Sequence, residues 1–478
     1  MPIKKPAQII DRPCGFGKTS SMIENLSKDK NYLIIVPYLS EVTRVLEKAA
    51  ELGVEMVEPT TNSQGMIELG EYELTNDKTK RNHLYALVKH GRNICTTHAM
   101  YPKLSEAAMK GVFKGYEVII DEVVETVKPL SHNPSKGTWD LMYLQDGYVE
   151  VDAATGQVTP TEKWNDNYKD ITDVMPTEIY LAAKSGTLYV HRSNTLVWAL
   201  PRQLLDAGDS LTVYTYLSKG SLMVAYLDRV GLPYEIDSLP TIDNEYLIKA
   251  KELLTVKLLK NLAKTSNKGT KPEFKFSYNG QSKMSYDYAA KVAQTLNTLA
   301  KRDLREVKRE DILITCTKAN WFEGSRSFED CKGTRYAAKT GRFSKGSGLF
   351  NAQWVPNTTR GTNKFNKCSH VIYLYDQFTS PNVMHWLGMK NDWQDHYALS
   401  EAVQLIWRSR IREGRPVTVY FASQRMFDLF NTWLSSVEND LDLATNEEQE
   451  NYMVIEATTH DQTATDRPLY KALEYQFA

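Results

Sequence analysis

The chain has 478 residues, 42% hydrophobic and 24% charged, with 58 basic and 59 acidic side chains. These are ordinary values for a water-soluble protein, and the length predicts two or three domains. No apolar run is long enough to span a bilayer and no signal-peptide core follows the first residues, so we expect a cytoplasmic protein without membrane contact. Because the net charge is −1, a polyanionic partner would have to bind a local basic patch. The five cysteines show no zinc-ligand spacing and indicate free thiols.

A glycine-rich loop with the sequence RPCGFGKT, residues 12–19, lies between an apolar segment and a predicted helix. Gly15 and Gly17 allow the backbone to curl so that its N–H groups point at phosphate oxygens. Lys18 can reach the β- and γ-phosphates, and the Thr19 hydroxyl can bind Mg²⁺. The loop predicts a nucleoside triphosphate site, although its first position is arginine where the strict pattern has glycine. A glycine-rich turn without a nucleotide is the alternative.

Short apolar, β-branched segments alternate with helical patterns through the first part of the chain and again through the last third. Such segments are buried on both faces and indicate parallel sheets covered by helices. The sequence therefore predicts two α/β domains in tandem. The predicted strands are residues 32–36, 93–96, 117–120, 211–214, 311–315, 370–374 and 416–420.

Two adjacent carboxylates, Asp121 and Glu122, end one of these apolar segments. At the carboxyl end of a buried strand, Asp121 can hold Mg²⁺ directly or through water, and Glu122 can polarise an attacking water. Adjacent acids are also common on solvated loops. Their position downstream of the glycine-rich loop favours the catalytic interpretation.

The amino-acid composition of the chain changes between and after the two α/β regions. Residues from about 130 to 197 combine turn residues with alternating aromatics and predict a β-rich insertion. Residues 251–283 are lysine-rich and predict a solvated helix and loop, whereas residues 438–450 are acidic and predict a linker or helix face. The predicted boundaries are residues 1–230 for the first domain, 231–435 for the second and 436–478 for a C-terminal extension.

A cationic motif follows near the C-terminus, in residues 402–412 with the sequence AVQLIWRSRIR. Arg408, Arg410 and Arg412 accompany Gln404 on an apolar helix, and arginine is the planar, permanently charged group best suited to bind phosphates. An arginine that reaches across a domain cleft stabilises the charge of a phosphoryl-transfer transition state. A basic helix face paired with surface acids is the alternative.

Cations also alternate with aromatic residues between residues 331 and 354. Arg335, Lys339 and Arg342 can follow a phosphate backbone while aromatic rings stack on bases, as in single-strand channels. A solvated loop with ordinary core aromatics at its ends is the alternative. The aromatic residues concerned are Tyr336, Phe343, Phe350 and Trp354.

The order of these motifs resembles that of the superfamily 2 helicases and translocases. The ordered set covers nearly the whole chain and is more specific than any one member, and the compact size looks like that of helicases encoded by bacteriophages. The match to motif III is poor. The segments are residues 12–19 for motif I, 33–38 for motif Ia, 96–99 for the nucleic-acid segment after it, 121–124 for the D-E-x-x box, 215–218 for motif III, 315–317 for motif IV, 359–363 for motif V and 404–412 for motif VI.

The resemblance implies two tandem RecA-like domains with ATP and Mg²⁺ bound in the cleft between them. The catalytic candidates are Lys18, Asp121, Glu122, Gln404, Arg408, Arg410 and Arg412, with Thr19 and Asp121 as metal ligands. The nucleotide-binding candidates are Pro13, Cys14, Gly15, Phe16, Gly17, Lys18, Thr19, Ser20, Gly361 and Asn363. The nucleic-acid candidates are Pro37, Tyr38, Thr97, His98, Thr317, Arg335, Lys339, Arg342, Thr359 and Arg360.

This sequence departs from the family pattern at three places. Arg12 replaces a small residue in motif I. Trp407 stands at the usual glycine of motif VI and the last arginine is displaced, so either Arg410 or Arg412 is the arginine finger. Gln8 lies too close to the loop to serve as an adenine-reading glutamine, which leaves the nucleotide specificity open.

We therefore expect an ATP-dependent helicase or translocase that moves on single-stranded DNA, and less readily on RNA, in replication or recombination. A phage-encoded protein of this kind would work in the host cytoplasm, with a replication protein as a further partner and no oligomeric state specified by the sequence. One alternative is a DNA-packaging motor, although no convincing nuclease carboxylate set follows residue 300. A nucleotide-gated DNA-binding scaffold with little unwinding is the other.

Overall fold

Two parallel β-sheets organise the chain. The structure is a computed structural model that describes residues 5–60, 80–130, 133–192, 194–237, 240–267, 275–359 and 361–444. In chain order the strands are β1 Ala7–Asp11, β2 Asn31–Val36, β3 Ile94–Thr97, β4 Tyr116–Asp121, β5 Val127–Pro129, β6 Val149–Val151, β7 Val158–Pro160, β8 Leu188–His191, β9 Thr195–Ala199, β10 Ser210–Thr215, β11 Tyr234–Asp237, β12 Leu254–Leu258, β13 Ile312–Thr315, β14 Gln353–Val355, β15 His370–Tyr373 and β16 Val417–Phe421.

The first sheet has six strands in the order β11-β1-β10-β4-β2-β3, and every neighbouring pair is parallel. Residues 33–36 of β2 are almost completely buried, because helices cover both faces of the sheet. In the register, Val213 of β10 lies opposite Ile9 of β1 and Ile120 of β4. The carboxyl ends of β1 and β4 therefore lie on either side of the end of β10.

The second sheet has five strands in the order β12-β16-β15-β13-β14, again all parallel. Its core continues into the long helix Tyr286–Lys301, whose buried Tyr288, Val292, Leu296 and Leu299 recur at helical spacing. Ser285 caps this helix by accepting a hydrogen bond from the Tyr288 backbone N–H. The predicted α/β fold class with two parallel sheets is confirmed.

Helices surround both sheets. Those of the first unit are Lys18–Glu24, Leu39–Glu51, Lys80–Lys89, Ser105–Met109, Arg202–Leu205 and Leu222–Val230, with 3-10 turns at Tyr101–Leu104 and Ser218–Gly220. Those of the second unit are Pro240–Glu252, Lys260–Asn267, Tyr278–Lys283, Tyr286–Lys301, Lys318–Trp321, Phe328–Cys331, Trp393–Ile406 and Gln424–Ala444, with 3-10 turns at Arg309–Asp311, Glu323–Ser325 and Arg410–Glu413. The helix Pro381–Leu387 follows β15 in the chain but packs on the core of the first unit, against β5, β9 and the helix Leu222–Val230.

The insertion is mixed rather than β-rich, so that prediction is corrected. It contains an antiparallel sheet in the order β5-β9-β8 and the hairpin β6-β7. Between these strands lie the helices Lys136–Thr138, Glu162–Asn167 and Thr177–Lys184 and a π-helix at Trp139–Gln145. Its small core is aromatic and includes the stacked pair Trp139 and Tyr143, with ring centroids 5.1 Å apart. The aromatics that suggested strands lie largely on helices, where they fill the same core.

Two elements lie beyond or across the predicted domain boundaries, which stay predictions. Strand β11 pairs with β1, so the first unit continues past the predicted boundary at residue 230. The boundary at residue 435 falls inside the helix Gln424–Ala444, while the rest of the predicted C-terminal extension lies outside the described residues. Strand β12 lies at the edge of the second sheet, within the segment that the sequence predicted as a solvated helix and loop. Its residues alternate between exposed and half-buried, so it lacks the continuous apolar run of a buried strand.

Candidate active site between the two sheets

The glycine-rich loop connects β1 to the helix Lys18–Glu24. Gly15 has φ +90° and Gly17 has φ +81°, conformations that residues with a side chain rarely adopt. The Lys18 ammonium is buried and donates hydrogen bonds to the carbonyl oxygens of Arg12 and Thr215, each at 3.0 Å. The sequence therefore forms the strand, tight loop and helix N-terminus that favour anion binding.

Arg12, the departure from motif I, points away from this loop opening. Its guanidinium forms an ion pair with Asp237 at 3.0 Å and donates to the Asp237 carbonyl oxygen. Since Asp237 ends β11, the arginine ties the start of the loop to the edge strand of the first sheet. This is a structural role that a small residue could not fill.

The Asp121 and Glu122 pair stands where β4 ends, beside the loop. Thr19 donates its hydroxyl hydrogen to Asp121 Oδ2 at 2.7 Å. Burial raises the pKa of Asp121 to about 6, helped by the charge of Glu122 and opposed by the Thr19 hydrogen bond. Hydroxyl and carboxylate oxygens are the donors that Mg²⁺ prefers, and one or two carboxylates suffice when substrate phosphates supply the rest. The pair Thr19 and Asp121 therefore fits Mg²⁺, although the described residues contain no self-sufficient cluster of three or more metal-ligating side chains.

Glu122 is joined to Arg408 across the two units. The carboxylate and guanidinium are 3.0 Å apart, with side-chain exposures of 7% and 2%. Glu122 also has φ +62°, a left-handed conformation that costs energy for a residue with a Cβ. A buried pair of this kind holds both charges at the boundary between the sheets.

Arg412 and Tyr246 bring a second cross-unit contact onto the loop. Arg412 donates to Asn363 Oδ1 at 2.6 Å, and the Tyr246 hydroxyl donates to the Cys14 carbonyl at 3.0 Å. A Cβ placed on Gly15 would lie 2.7 Å from Cγ of Arg412 and 2.9 Å from the Tyr246 hydroxyl oxygen. Glycine is thus required at position 15 by both the backbone and the neighbouring unit.

These groups surround one cavity of about 240 Å³. Both sheets contribute to its wall, so the predicted convergence of distant motifs is present in the structure. Its lining residues are Cys14, Gly15, Gly17, Lys18, Thr19, Ser20, Glu41, Arg44, Asp121, Glu122, Gly361, Asn363, Arg408 and Arg412.

Four of the predicted catalytic and nucleotide-binding residues lie outside that lining. Arg410 donates to the Pro416 carbonyl at 2.6 Å, so Arg412 rather than Arg410 faces the cavity. Gln404 is buried one turn before Arg408 and donates to Ser400 at 3.0 Å. The other two are Pro13, which is buried, and Phe16, which packs edge-on against Tyr246.

Glu41, Arg44 and Tyr246 are cavity or loop contacts that the sequence interpretation missed. Glu41 and Arg44 form an ion pair at 2.7 Å in the first turns of helix Leu39–Glu51. The sequence offered a sign of both residues, since their helix follows directly after residues 33–38, the segment that resembles motif Ia. Tyr246 had no sequence signal, because nothing local connects it with a loop more than two hundred residues earlier.

Among the nucleic-acid candidates, Pro37 and Tyr38 follow β2, Thr97 ends β3 and His98 follows it. A Cβ on Gly361 would collide with the Pro37 ring, so Gly361 packs directly against Pro37. The His98 ring nitrogen Nε2 is 2.9 Å from the Asp121 carbonyl oxygen, which places His98 beside the acidic pair. Thr359 is half-buried, and Arg360 lies outside the described residues.

The segment of residues 331–354 has aromatic rings in two environments. Phe343 is completely buried, and Phe350 and Trp354 are half-buried against the same core. Arg342 donates to Asn320 Oδ1, the Met284 carbonyl and the Gln281 carbonyl. Tyr336, Arg335 and Lys339 are exposed, whereas Thr317 is buried in a hydrogen-bond network with Gln281 and Asn320. Nucleic-acid contact by these residues stays a prediction.

Residues 249–434 match the family model described as the YonV C-terminal Rossmann-like domain. The chain is 26% identical over 439 residues to the SPbeta prophage-derived uncharacterized protein YonV of Bacillus subtilis (strain 168), covering 90% of this chain and 98% of that protein.

Solved structures with a similar arrangement include helicases. An XPD helicase is 12% identical, with 91% of this chain and 95% of that chain covered and a TM-score of 0.45. Xpd4 of S. tokodaii has the same identity and coverage and a TM-score of 0.38. S. cerevisiae Dbp5 bound to RNA and ADP BeF3 is 12% identical, with coverages of 91% and 84% and a TM-score of 0.35. Among the described residues, no helix is both long and apolar enough to cross a membrane.

Proposed function

We propose that this protein is an ATP-dependent helicase or translocase of the superfamily 2 type. The observation that carries the proposal is the shared cavity, in which Lys18, Thr19 and the acidic pair face Asn363, Arg408 and Arg412 of the other unit. Phosphoryl transfer needs a phosphate cradle, a carboxylate and a cation on opposite sides of one site. The two α/β units then correspond to two RecA-like domains.

The cavity suits the triphosphate of a nucleotide better than the whole molecule. Its volume of about 240 Å³ lies below the ~300–1,000 Å³ of pockets that enclose complete organic ligands. The phosphates would occupy the loop opening, and the Lys18 ammonium would exchange its two carbonyl partners for phosphate oxygens. Mg²⁺ held by Thr19 and Asp121 would neutralise developing phosphate charge.

Glu122 is the general base in this proposal, and Arg408 contacts it directly. The guanidinium forms an ion pair with the carboxylate and so occupies one of its oxygens. When Arg408 turns toward the γ-phosphate, Glu122 can accept a proton from the attacking water. Arg412 is then the second cation on the triphosphate, and Arg410 is not assigned a catalytic role.

Movement follows from the position of the site. Hydrolysis would cleave the bound ATP to ADP and phosphate, and release of these products would remove the anion that both units bind, so the cleft opens and closes with each turnover. A strand that contacts both units, as the packing of Gly361 on Pro37 favours, would be advanced by these cycles. We take single-stranded DNA as the principal track. The similarity to a prophage-derived protein supports a phage role in replication or recombination within the host cytoplasm, where a replication protein is a further expected partner.

The test is the rate of ATP hydrolysis with and without single-stranded DNA and RNA. Lys18→Ala and Glu122→Gln should each lower turnover by a factor on the order of 100 or more, because one loses the phosphate-binding cation and the other the general base. Lys48→Ala is the matched control, since Lys48 is exposed and pairs only locally with Glu51. Turnover at the wild-type rate in both site variants would reject the assignment.

A nucleotide-gated scaffold is the second candidate, and the buried Glu122–Arg408 pair favours it. A base held in an ion pair suits slow hydrolysis and long-lived binding. Strand separation should be measured together with ATP turnover. Nucleic-acid binding without either activity would favour the scaffold over the motor.

A further inference from the structure

Two strongly exposed tyrosines begin consecutive helices of the second unit. Tyr278 is 72% exposed and starts the helix Tyr278–Lys283, and Tyr286 is 81% exposed and starts the helix Tyr286–Lys301. Tyrosine buries a large apolar surface when it has a partner inside the protein. Both rings, eight residues apart in the chain, are therefore open to an external ligand.

Both rings stand on a rigid support. Ser277 Oγ accepts a hydrogen bond from the Gly280 N–H, and Ser285 Oγ accepts one from the Tyr288 N–H. Each tyrosine is thus the first residue after a helix cap. A ring mounted this way loses little backbone freedom when it binds a ligand.

The support lies at the carboxyl edge of the second sheet. Gln281, one turn after Tyr278, donates to the Leu374 carbonyl at 2.7 Å and accepts from the Thr317 N–H at 3.0 Å. Leu374 and Thr317 follow β15 and β13, so the helix spans the ends of two strands. Open parallel sheets bind their ligands at this edge.

A fixed cation accompanies the rings. The Arg342 guanidinium carbon lies 5.8 Å from the centre of the Tyr286 ring, and its three hydrogen bonds to Asn320, Met284 and Gln281 hold it there. Exposed Lys283 lies on the same helix as Tyr278, and the neighbouring acid is Asp287. Exposed aromatic faces beside cations are complementary to planar bases on a phosphate backbone.

We propose that Tyr278 and Tyr286 form a base-stacking platform for single-stranded nucleic acid at the edge of the second sheet. The inference rests on the proposed function. It identifies the residues that would contact the bases, rather than the phosphates, of the bound strand. It adds two exposed rings to the predicted nucleic-acid surface of residues 331–354, in which Phe343 is buried. DNA and RNA bases offer the same stacking faces, so the test includes both.

The experiment measures binding to labelled oligonucleotides of about 20 units, longer than typical single-strand sites. Oligothymidylate, oligouridylate and an abasic strand of equal length are compared at one salt concentration by fluorescence anisotropy. The variants are Tyr278→Ala, Tyr286→Ala and Tyr286→Phe, and Leu141→Ala is the control because Leu141 is 58% exposed on the insertion. ATP hydrolysis without nucleic acid, measured on every variant, reports that the proteins are folded.

Each alanine variant should bind the base-carrying strands about tenfold more weakly and the abasic strand unchanged, while Tyr286→Phe binds as the wild type does. An equal loss on abasic and base-carrying strands, or no loss on either, overturns the platform but leaves the proposed motor standing. If the wild-type protein binds no oligonucleotide, the proposed nucleic-acid function fails together with the platform.

Discussion

The ion pair between Glu122 and Arg408 sets the most specific expectation for single residues. Removing one partner of a buried pair leaves an uncompensated charge, which typically costs about 3–5 kcal/mol. Arg408→Met should therefore lower the free energy of unfolding by about that amount in the wild-type background. In a Glu122→Gln background the same substitution should cost much less, because the amide carries no charge.

Urea unfolding of the four proteins without nucleotide measures this coupling as a double-mutant cycle. Equal costs of Arg408→Met in both backgrounds would show that the pair does not form in solution.

Asp121 gives a pH-dependent prediction. Burial raises its pKa from 3.8 to about 6, so the folded protein disfavours the charged form. Because the pKa is higher in the folded protein, the contribution of Asp121 to the free energy of unfolding is largest below about pH 4. This contribution falls by up to about 3 kcal/mol as the pH rises through about 6. Asp121→Asn removes the penalty and keeps an oxygen for the Thr19 hydroxyl. It should therefore stabilise the nucleotide-free protein at pH 8 and much less near pH 4.

Thermal unfolding at both pH values checks this, with Asp29→Asn as an exposed control. A variant that is less stable than the wild type at pH 8 would contradict the burial argument.

At the scale of elements, the 3-10 turn Ser218–Gly220 docks on the helix Trp393–Ile406. A Cβ on Gly220 would lie 2.1 Å from the His396 carbonyl oxygen, and Ser400 donates to the Tyr216 carbonyl at 3.2 Å. This is the segment that matched motif III poorly. Its contact joins the first unit to the helix that leads to Arg408.

Gly220→Ala should push this helix away, lower stability by about 1–3 kcal/mol and slow ATP turnover, because Arg408 moves with the helix. Gly137→Ala is the matched control, since no atom lies within 4 Å of its Cβ position. Thermal unfolding and ATPase assays on both variants test the effect. Similar behaviour of the two variants would show that the docking is not required.

At the scale of the whole molecule, a ligand that binds both walls of the cavity should stabilise both units. A non-hydrolysable ATP analogue with Mg²⁺ at one hundred times its Kd should raise the free energy of unfolding by about 2.7 kcal/mol. Hydrogen exchange should slow in β1 and also in β16, because the second sheet supports the arginines. Lys18→Ala should abolish both effects. Protection limited to the first sheet would indicate that the nucleotide binds one unit alone.

The sequence by itself determined the parallel sheets, the position of the glycine-rich loop and the acidic pair at the end of β4. Local pattern suffices for these, because buried strands read as continuous apolar runs and a φ above zero calls for glycine. The same reasoning mistook the insertion for a β-rich segment and did not separate the buried Phe343 from the exposed Tyr336. Alternation of rings and polar residues does not reveal whether a ring faces a core or solvent.

Only the tertiary structure decided which distant residues meet. It placed Arg412 rather than Arg410 at the cavity, paired Arg12 with Asp237 and brought Tyr246 onto the loop. It also left Tyr278 and Tyr286 exposed at the edge of the second sheet. The physical reason is that a side chain's partner is set by how sheets and helices pack, and residues far apart in the chain leave no local trace of that contact.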